Sequence, residues 1–517
     1  MRGLVESSED VILLVLDTIR ASTSEVHFLK DLQSLSLASR YLRDVCLPVL
    51  FRTFRRSWDI SSIRSDKIIL PSTLCQYVTV FELDVSATGD ILLDEPTDIS
   101  ERLVTVFSKM EKLRTFRLIN STERGPWPAL LNAIFSTPTL TACEIWDSPW
   151  RRPEEKLNQS ILDIPRERTQ LKRFVYRVPF TECFPRESES YGRRDKVQGP
   201  VELSNLLLLT SLVCESVEVL EIPAELALPL VDCAFPNLRE LTVQGHEPLQ
   251  AFDWSAIYRN APRLGGIHLQ TVHTATNRLT TRTPRAASRP SYDDFIMRGL
   301  SNLESLTLSE ICGKERLLSA LPYANLRTLS FKAFPLPGVT GSRWSNIYPR
   351  IPTSSEILCI LNTVQIVTLS TFELCYSVDS SDISLLSRIH SSFPRLSTLE
   401  IHRLRPMAKS NSEDDPLIYM PHTLAKPGSN LRNLKLNLDF PERPRHNDWR
   451  QDDSKRDREF HLFLEKEIAT RFVHAIHSLQ TMQILAHDAF SSYWDTWKVT
   501  ATRQLIPQPT VPVCIRL

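Results

Sequence analysis

Apolar residues recur in two rhythms along this chain. In the first fifty residues they fall every three to four positions, as Val11, Ile12, Val15, Leu16 and Ile19 and then as Leu32, Leu35, Ala38, Tyr41 and Leu42. That spacing predicts two short helices, each with one apolar face. Asp10 is placed to cap the first and Asp31 to open the second; Arg40, Arg43 and Asp44 keep the opposite face wet until Pro48 ends regular helix. Helices this short do not bury both faces alone, so a neighbouring domain or a partner is expected.

The second rhythm occupies the body of the chain. A strand-like frame with apolar residues at positions one, four and six starts at Val78, Leu113, Leu140, Leu171, Val217, Leu238, Leu264, Leu303, Leu326, Val364, Leu396, Leu431 and, weakly, Leu479. Segments such as PNLRELTV, SNLESLTL, ANLRTLSF and SNLRNLKL share a polar pair before the first leucine and a near-identical frame after it. Helix-like stretches precede most of these strands, at 99–110, 128–135, 252–260, 292–300, 355–361 and 383–391. Helix, turn and short strand then form one unit with a mean period of about 33 residues. The pattern resembles a degenerate leucine-rich repeat. The fold expected is therefore α/β, a helical module at 5–57 followed by an arc-shaped solenoid at 70–495, parallel strands inside and helices outside, with a tail at 496–517. Polar insertions at 181–200, 271–290, 406–421 and 441–458 are expected to leave the solenoid as loops.

The N-terminal residues carry a resemblance of their own. Asp10-Val11-Ile12, Val15-Leu16 and Ile19, then Asp31-Leu32, Leu35-Ser36-Leu37-Ala38-Ser39-Arg40, Arg43 and Pro48-x-Leu50-Phe51-x-x-Phe54 follow the order of the F-box, in the form common among fungal F-box proteins. The resemblance implies a module that binds a Skp-family adaptor, and through it a cullin, with the repeats selecting a protein substrate for ubiquitylation. Its implied adaptor contacts are Val11, Ile12, Val15, Leu16, Ile19, Leu32, Leu35, Leu37, Arg40, Pro48, Leu50 and Phe51. Ser7-Ser8 stand where the family has Leu-Pro, which keeps a second reading open: a leucine-rich-repeat scaffold that no longer joins a ligase. Strand geometry assigns the substrate surface. If positions four and six of each frame point into the core, positions three, five and seven line the concave face. Those positions hold Arg117, Arg173, Arg177, Glu240, Thr242, Gln244, His268, Thr307, Lys332, Glu400, His402, Lys435 and Asn437.

Composition narrows the function classes. Lysine plus arginine and aspartate plus glutamate are both 61, so the formal charge is zero and the electrostatic support for nucleic-acid binding is missing. Ten cysteines are scattered without a CxxC pair and are expected to be buried and reduced, which suits a cytoplasmic or nuclear protein. Neither an export signal nor a membrane span is expected, and the Asn120-Ser-Thr acceptor then has no role. GxxxxGK[ST], HExxH, GxSxG and GxGxxG do not occur, and no cofactor or metal is expected. His474 and His477, one helical turn apart, are expected to be a partly buried or surface histidine pair rather than a metal site, and the acids of 452–459 part of a solvated charged loop. Ser410 and Ser412, before Glu413-Asp414-Asp415, are in a context for acid-directed phosphorylation. Cys514-Ile515-Arg516-Leu517 has the length of a prenylation box, with Arg516 against it.

Overall fold

A computed structural model describes residues 9–22, 25–57, 70–85, 97–121, 125–146, 148, 156–157, 170–177, 199–227, 230, 233–246, 255–272, 300–309, 311, 318, 321–333, 351–405, 416–425, 430–438, 454–487 and 492–512. Contacts divide the chain into two compact units, Met1–Thr18 with Val26–Leu264 and Ile19–Glu25 with Gly265–Leu517.

In the first unit seven strands pair in parallel and in chain order: β1 (Thr53–Ser57), β2 (Val80–Asp84), β3 (Thr115–Ile119), β4 (Ala142–Trp146), β5 (Arg173–Arg177), β6 (Val219–Pro223) and β7 (Glu240–His246). Sequential parallel pairing requires a crossover between strands, and short helices supply several of them, including Thr97–Ser108, Pro128–Phe135 and Gly199–Val213. Positions four and six of each frame are buried, as the spacing predicts: Phe81 and Leu83, Phe116 and Leu118, Leu220 and Ile222, Leu241 and Val243. Phe107, from the helix Thr97–Ser108, meets Phe81 edge-on at 5.3 Å and Phe116 at 5.8 Å, so helix and strands share one apolar layer.

The second unit repeats the plan. β8 (Gly266–Val272), β9 (Ser305–Leu308), β10 (Thr328–Phe331), β11 (Thr371–Ser377), β12 (Thr398–Leu404), β13 (Asn433–Leu438) and β14 (Thr481–His487) pair in parallel and in order. Two antiparallel strands, β15 (Ser492–Val499) and β16 (Leu505–Pro512), then close the run. Each unit is thus an α/β, solenoid-like stack of helix–strand repeats.

Several expectations are corrected. The first fifty residues form three helices, α1 (Glu9–Ser22), α2 (Glu25–Ala38) and α3 (Arg40–Leu50). Asp10 therefore lies inside the first turn of α1 and Asp31 in the middle of α2. The cap that does form is Ser39, whose hydroxyl accepts from the Leu42 amide at 3.1 Å and starts α3. Pro48 is carried inside α3, which continues to Leu50. The boundary between module and repeats also moves. Phe51 and Phe54 fill positions one and four of a repeat frame whose sixth position is Arg56, β1 pairs with β2, and the strand run begins at Thr53 rather than near residue 70. At the far end, β16 replaces much of the expected tail.

The frame placed at Val364 is shifted by five residues. β11 starts at Thr371, Leu369, Phe372 and Leu374 are the buried set, and Val367 is exposed. The 406–421 and 441–458 insertions are partly helical, at Pro416–Leu424 and Ser454–Phe463. The 181–200 and 271–290 insertions lie almost wholly outside the described residues, as do Ser410, Ser412 and the last four residues. Among the seven described cysteines, Cys359 alone is exposed. Its helix, Ser354–Thr363, buries Ile357 and Leu361, and position 359 falls on the opposite side.

Candidate functional site

The N-terminal module sorts its apolar residues by depth. Ile12, Leu16 and Leu32 are buried, as are Phe28, Leu42 and Val45. Ile19, Leu35, Leu50 and Phe51 are half-buried, and Arg40 and Pro48 are exposed. Val11, Val15 and Leu37 face water, Leu37 with 76% of its surface. With Leu14 and Leu29, they make five of the ten large apolar side chains exposed among the described residues. The implied adaptor contacts therefore divide into those that hold the module together and those that could touch a partner. Ile12, Leu16 and Leu32 belong to the first group, because their side chains are already covered by the chain itself.

The polar face of the first unit is built by strand register. Arg55, Glu82, Arg117, Glu144, Val175, Glu221 and Thr242 are successive lateral neighbours on β1 to β7, one row of position-five residues. Their signs alternate along the first four strands. Arg55 reaches Glu82 at 3.1 Å and Asp84 at 2.8 Å; Arg117 donates to Glu144 at 2.9 Å. Arg173 donates to the other oxygen of Glu144 at 3.0 Å, and Arg177 makes a two-pronged bond to Glu221, to which Gln244 also donates at 2.8 Å. The guanidiniums of Arg117 and Arg177 lie 5.6 and 5.1 Å from the Trp146 ring. The two signs differ in depth. Side-chain exposure is 51% for Arg55, 33% for Arg117, 39% for Arg173 and 40% for Arg177, against 7–10% for Glu82, Asp84, Glu144 and Glu221. Glu240 sits in the row that contains Arg173.

In the second unit the corresponding row runs His268, Thr307, Ser330, Glu373, Glu400, Lys435, Gln483 and Thr496. His268 bonds Thr307 at 2.8 Å, and Ser330 donates to Glu373 at 2.7 Å. Glu400 is the hub. Lys332 Nζ is 2.8 Å away, Lys435 Nζ 3.6 Å, and the His402 ring 2.7 Å. The Asn437 amide faces the second ring nitrogen of His402 at 3.2 Å, and the Trp494 ring lies 6.0 Å from the His402 ring. This assigns a neutral imidazole that accepts from Asn437 and donates from Nε2 to Glu400. Burial holds the His402 pKa below its usual value. Burial works against the Glu400 carboxylate, but the His402 and Lys332 contacts outweigh it and hold the pKa well below the ordinary glutamate range. Glu400, His402, Thr307 and Asn437 are buried, so these members of the expected lining hold the unit together instead of facing a substrate.

Sequence reasoning missed the acidic partners. Glu82, Glu144 and Glu221 occupy position five of the frames that start at Val78, Leu140 and Val217 and are legible there; Arg55 is hidden, because Phe51–Phe54 reads as the end of the N-terminal motif. Trp494 could not be found from the frame, because it returns on an antiparallel strand.

The face offers binding groups rather than an activated nucleophile. Cys375, His402 and Asn437 are lateral neighbours on β11, β12 and β13, but both ring nitrogens of His402 are engaged elsewhere, and burial pushes the Cys375 thiol up to about 12. His474 and His477 are exposed, and among the described residues no group of histidine, cysteine and acidic side chains could hold a metal ion. No described helix is long and apolar enough to cross a membrane. The Asn120 side chain of the glycosylation motif donates to Asp84 at 3.0 Å.

No family model matches this chain, and no curated protein does. Among solved structures, a protein of Bacteroides fragilis is similar over 66% of this chain and 67% of its own, with 10% identity and a TM-score of 0.25. That likeness is too weak to bear on fold or function.

Proposed function

We propose that this protein is a non-catalytic substrate receptor of a cullin-RING ubiquitin ligase: α1 to α3 dock a Skp-family adaptor, and the polar strand faces hold a protein substrate. The observation that carries the reading is the exposure of Val11, Val15 and Leu37 within a module whose residue order is F-box-like. Large apolar side chains left in water on a small module favour a partner that covers them. The receptor would supply proximity, bringing substrate lysines to a ubiquitin-charged enzyme carried elsewhere in the complex. Such a protein works in the cytoplasm or nucleus and needs no cofactor of its own.

Calorimetry of the full chain with a purified Skp-family adaptor tests this directly. Leu37→Asp removes an apolar contact of about 1.5–3 kcal/mol and should weaken binding roughly ten- to a hundredfold without lowering the melting temperature. If the wild-type chain takes up no adaptor, the ligase reading fails. A scaffold reading then replaces it, favoured by the continuity of the motif with the array: Phe54 lies 5.7 Å from Phe81, and β1 is already a repeat strand.

A further inference from the structure

We propose that the helix-to-strand edge of the first unit rests on an anionic membrane surface, held there by a row of exposed cations. This edge is distinct from the polar strand faces and from α1 to α3, so the inference goes beyond the ligase reading and does not depend on adaptor docking.

The row follows from backbone pairing. The carbonyl at position two of each frame accepts two amides, those of positions two and three in the next frame, at 2.7–3.1 Å. Arg52, Thr79, Arg114, Thr141, Lys172, Glu218 and Arg239 are thereby linked in order from β1 to β7. Laterally aligned residues of a parallel sheet point the same way, and the four cations belong to alternate strands, about 9.6 Å apart. All four are exposed. Between them Thr79 and Thr141 turn their hydroxyls back to the carbonyls of Arg52 and Arg114, at 3.1 and 3.2 Å. The turns at the same edge add Lys109, Lys112 and Arg263, also exposed, and Arg263 donates to Asn237 in the turn before β7 at 2.9 Å.

Charge then selects the partner. Glu111, Glu215 and Glu218 oppose these cations, and at position three Arg173 and Glu240 cancel, which leaves an excess of four positive charges in a chain whose formal charge is zero. Glu218 meets Lys172 at 3.0 Å, but the two side chains are 35% and 63% exposed, and an ion pair in water is weak enough to exchange partners. Arg114 and Arg263 bond neutral oxygens, which leaves their charges uncompensated. An anionic leaflet attracts lysine and arginine held near it, each worth about a fivefold gain in affinity, and its headgroups move laterally to meet cations fixed ~9.6 Å apart. An acidic folded protein would have to present carboxylates at that spacing. A single-stranded nucleic acid would find phosphate partners but nothing to stack on, because the exposed described residues in the turns around β4 to β7 include no aromatic ring. In the second unit the same edge carries Arg327, Arg395 and Arg432 against Glu304, a smaller excess.

Sedimentation of the full chain with vesicles provides the test. Vesicles of equal parts phosphatidylserine and phosphatidylcholine should carry wild-type protein down at low ionic strength and release it as salt rises, and vesicles of phosphatidylcholine alone should not. Lys109→Gln, Lys112→Gln and Arg239→Gln together replace exposed side chains; this triple variant should melt like wild type and partition about a hundredfold less. Lys30→Gln, Lys466→Gln and Lys498→Gln together remove the same charge elsewhere and should partition like wild type. Failure of wild type to sediment with phosphatidylserine, equal sedimentation with phosphatidylcholine, undiminished partition of the first triple variant, an equal loss in the second, or tighter binding of oligouridylate or polyglutamate than of the vesicles would each overturn the proposal.

Discussion

Arg403 has no solvent exposure, yet it keeps its charge because Asp382 and two tyrosines surround it. Its Nε donates to Asp382 at 2.8 Å and its terminal nitrogen to the Tyr419 hydroxyl at 2.9 Å; Tyr376 and Tyr419 both donate to the same carboxylate, at 2.7 and 2.5 Å. Burial alone would lower the Arg403 pKa, but Asp382 outweighs it and raises the pKa instead. Arg403→Met leaves Asp382 charged in the interior and should cost about 3–5 kcal/mol in urea unfolding, with Tyr376→Phe costing about 1–3 kcal/mol. Similar losses from an exposed control such as Arg432→Met would deny the network its role. His402 carries a pH prediction. Its folded-state pKa is depressed, so an unfolded chain, titrating near 6.5, binds a proton that the folded chain refuses. Stability should fall as pH drops below about 6.5, and further below about 4.3 as the depressed Glu400 carboxyl loses its advantage over an unfolded one. His402→Gln keeps a donor to Glu400 and should flatten the dependence between about pH 5 and 7. A slope equal to that of wild type would place the titration elsewhere.

At the scale of the element, the buried side of α1 and the exposed side of α2 make different experiments. Leu16→Asp should unfold the N-terminal module, visible as lost helicity and easy proteolysis before β1, because it places a charge in the interior; Leu37→Asp should leave the helices intact. If both variants fold normally, the assignment of Leu16 to the interior is wrong. The other end of the array shows how an edge is closed. β16 reads Leu-Ile-Pro-Gln-Pro-Thr-Val-Pro, and its three prolines remove amide donors from the last strand of the sheet. Register also slips between Trp494 and Thr496, a bulge beside that edge. Pro507→Val with Pro509→Val should increase self-association, detected by light scattering at rising concentration. No change would mean that the edge is protected in some other way.

For the whole molecule, the relevant fact is that strands pair with their sequence neighbours. A stack of this kind is held by nearest-neighbour interfaces, so damage should stay close to its origin. Leu241→Ala on β7 and Leu434→Ala on β13 both remove fully buried side chains and should each cost about 2–5 kcal/mol. Limited proteolysis should open the first unit in one variant and the second unit in the other. Cleavage spread alike through both units would mean that they unfold as one.

Much of this architecture was written in local pattern. Apolar positions one, four and six announced most of the strands, and the buried leucines and phenylalanines at positions four and six follow from the two-residue period of a strand whose one face meets helices. What local pattern could not decide was competition and partnership. Val364-x-x-Val367-x-Leu369 and Leu369-x-x-Phe372-x-Leu374 fit the frame equally well, and only pairing of Thr371 with Thr398 selects the second. Phe51–Phe54 beside a repeat strand and Trp494 as a neighbour of His402 depend on where distant segments come to rest. So does the depth of each charge. The sequence places arginine and glutamate on one strand face, but lateral register buries the carboxylate and leaves the guanidinium outside, because the longer side chain can reach past its partner into water while its stem stays on the sheet.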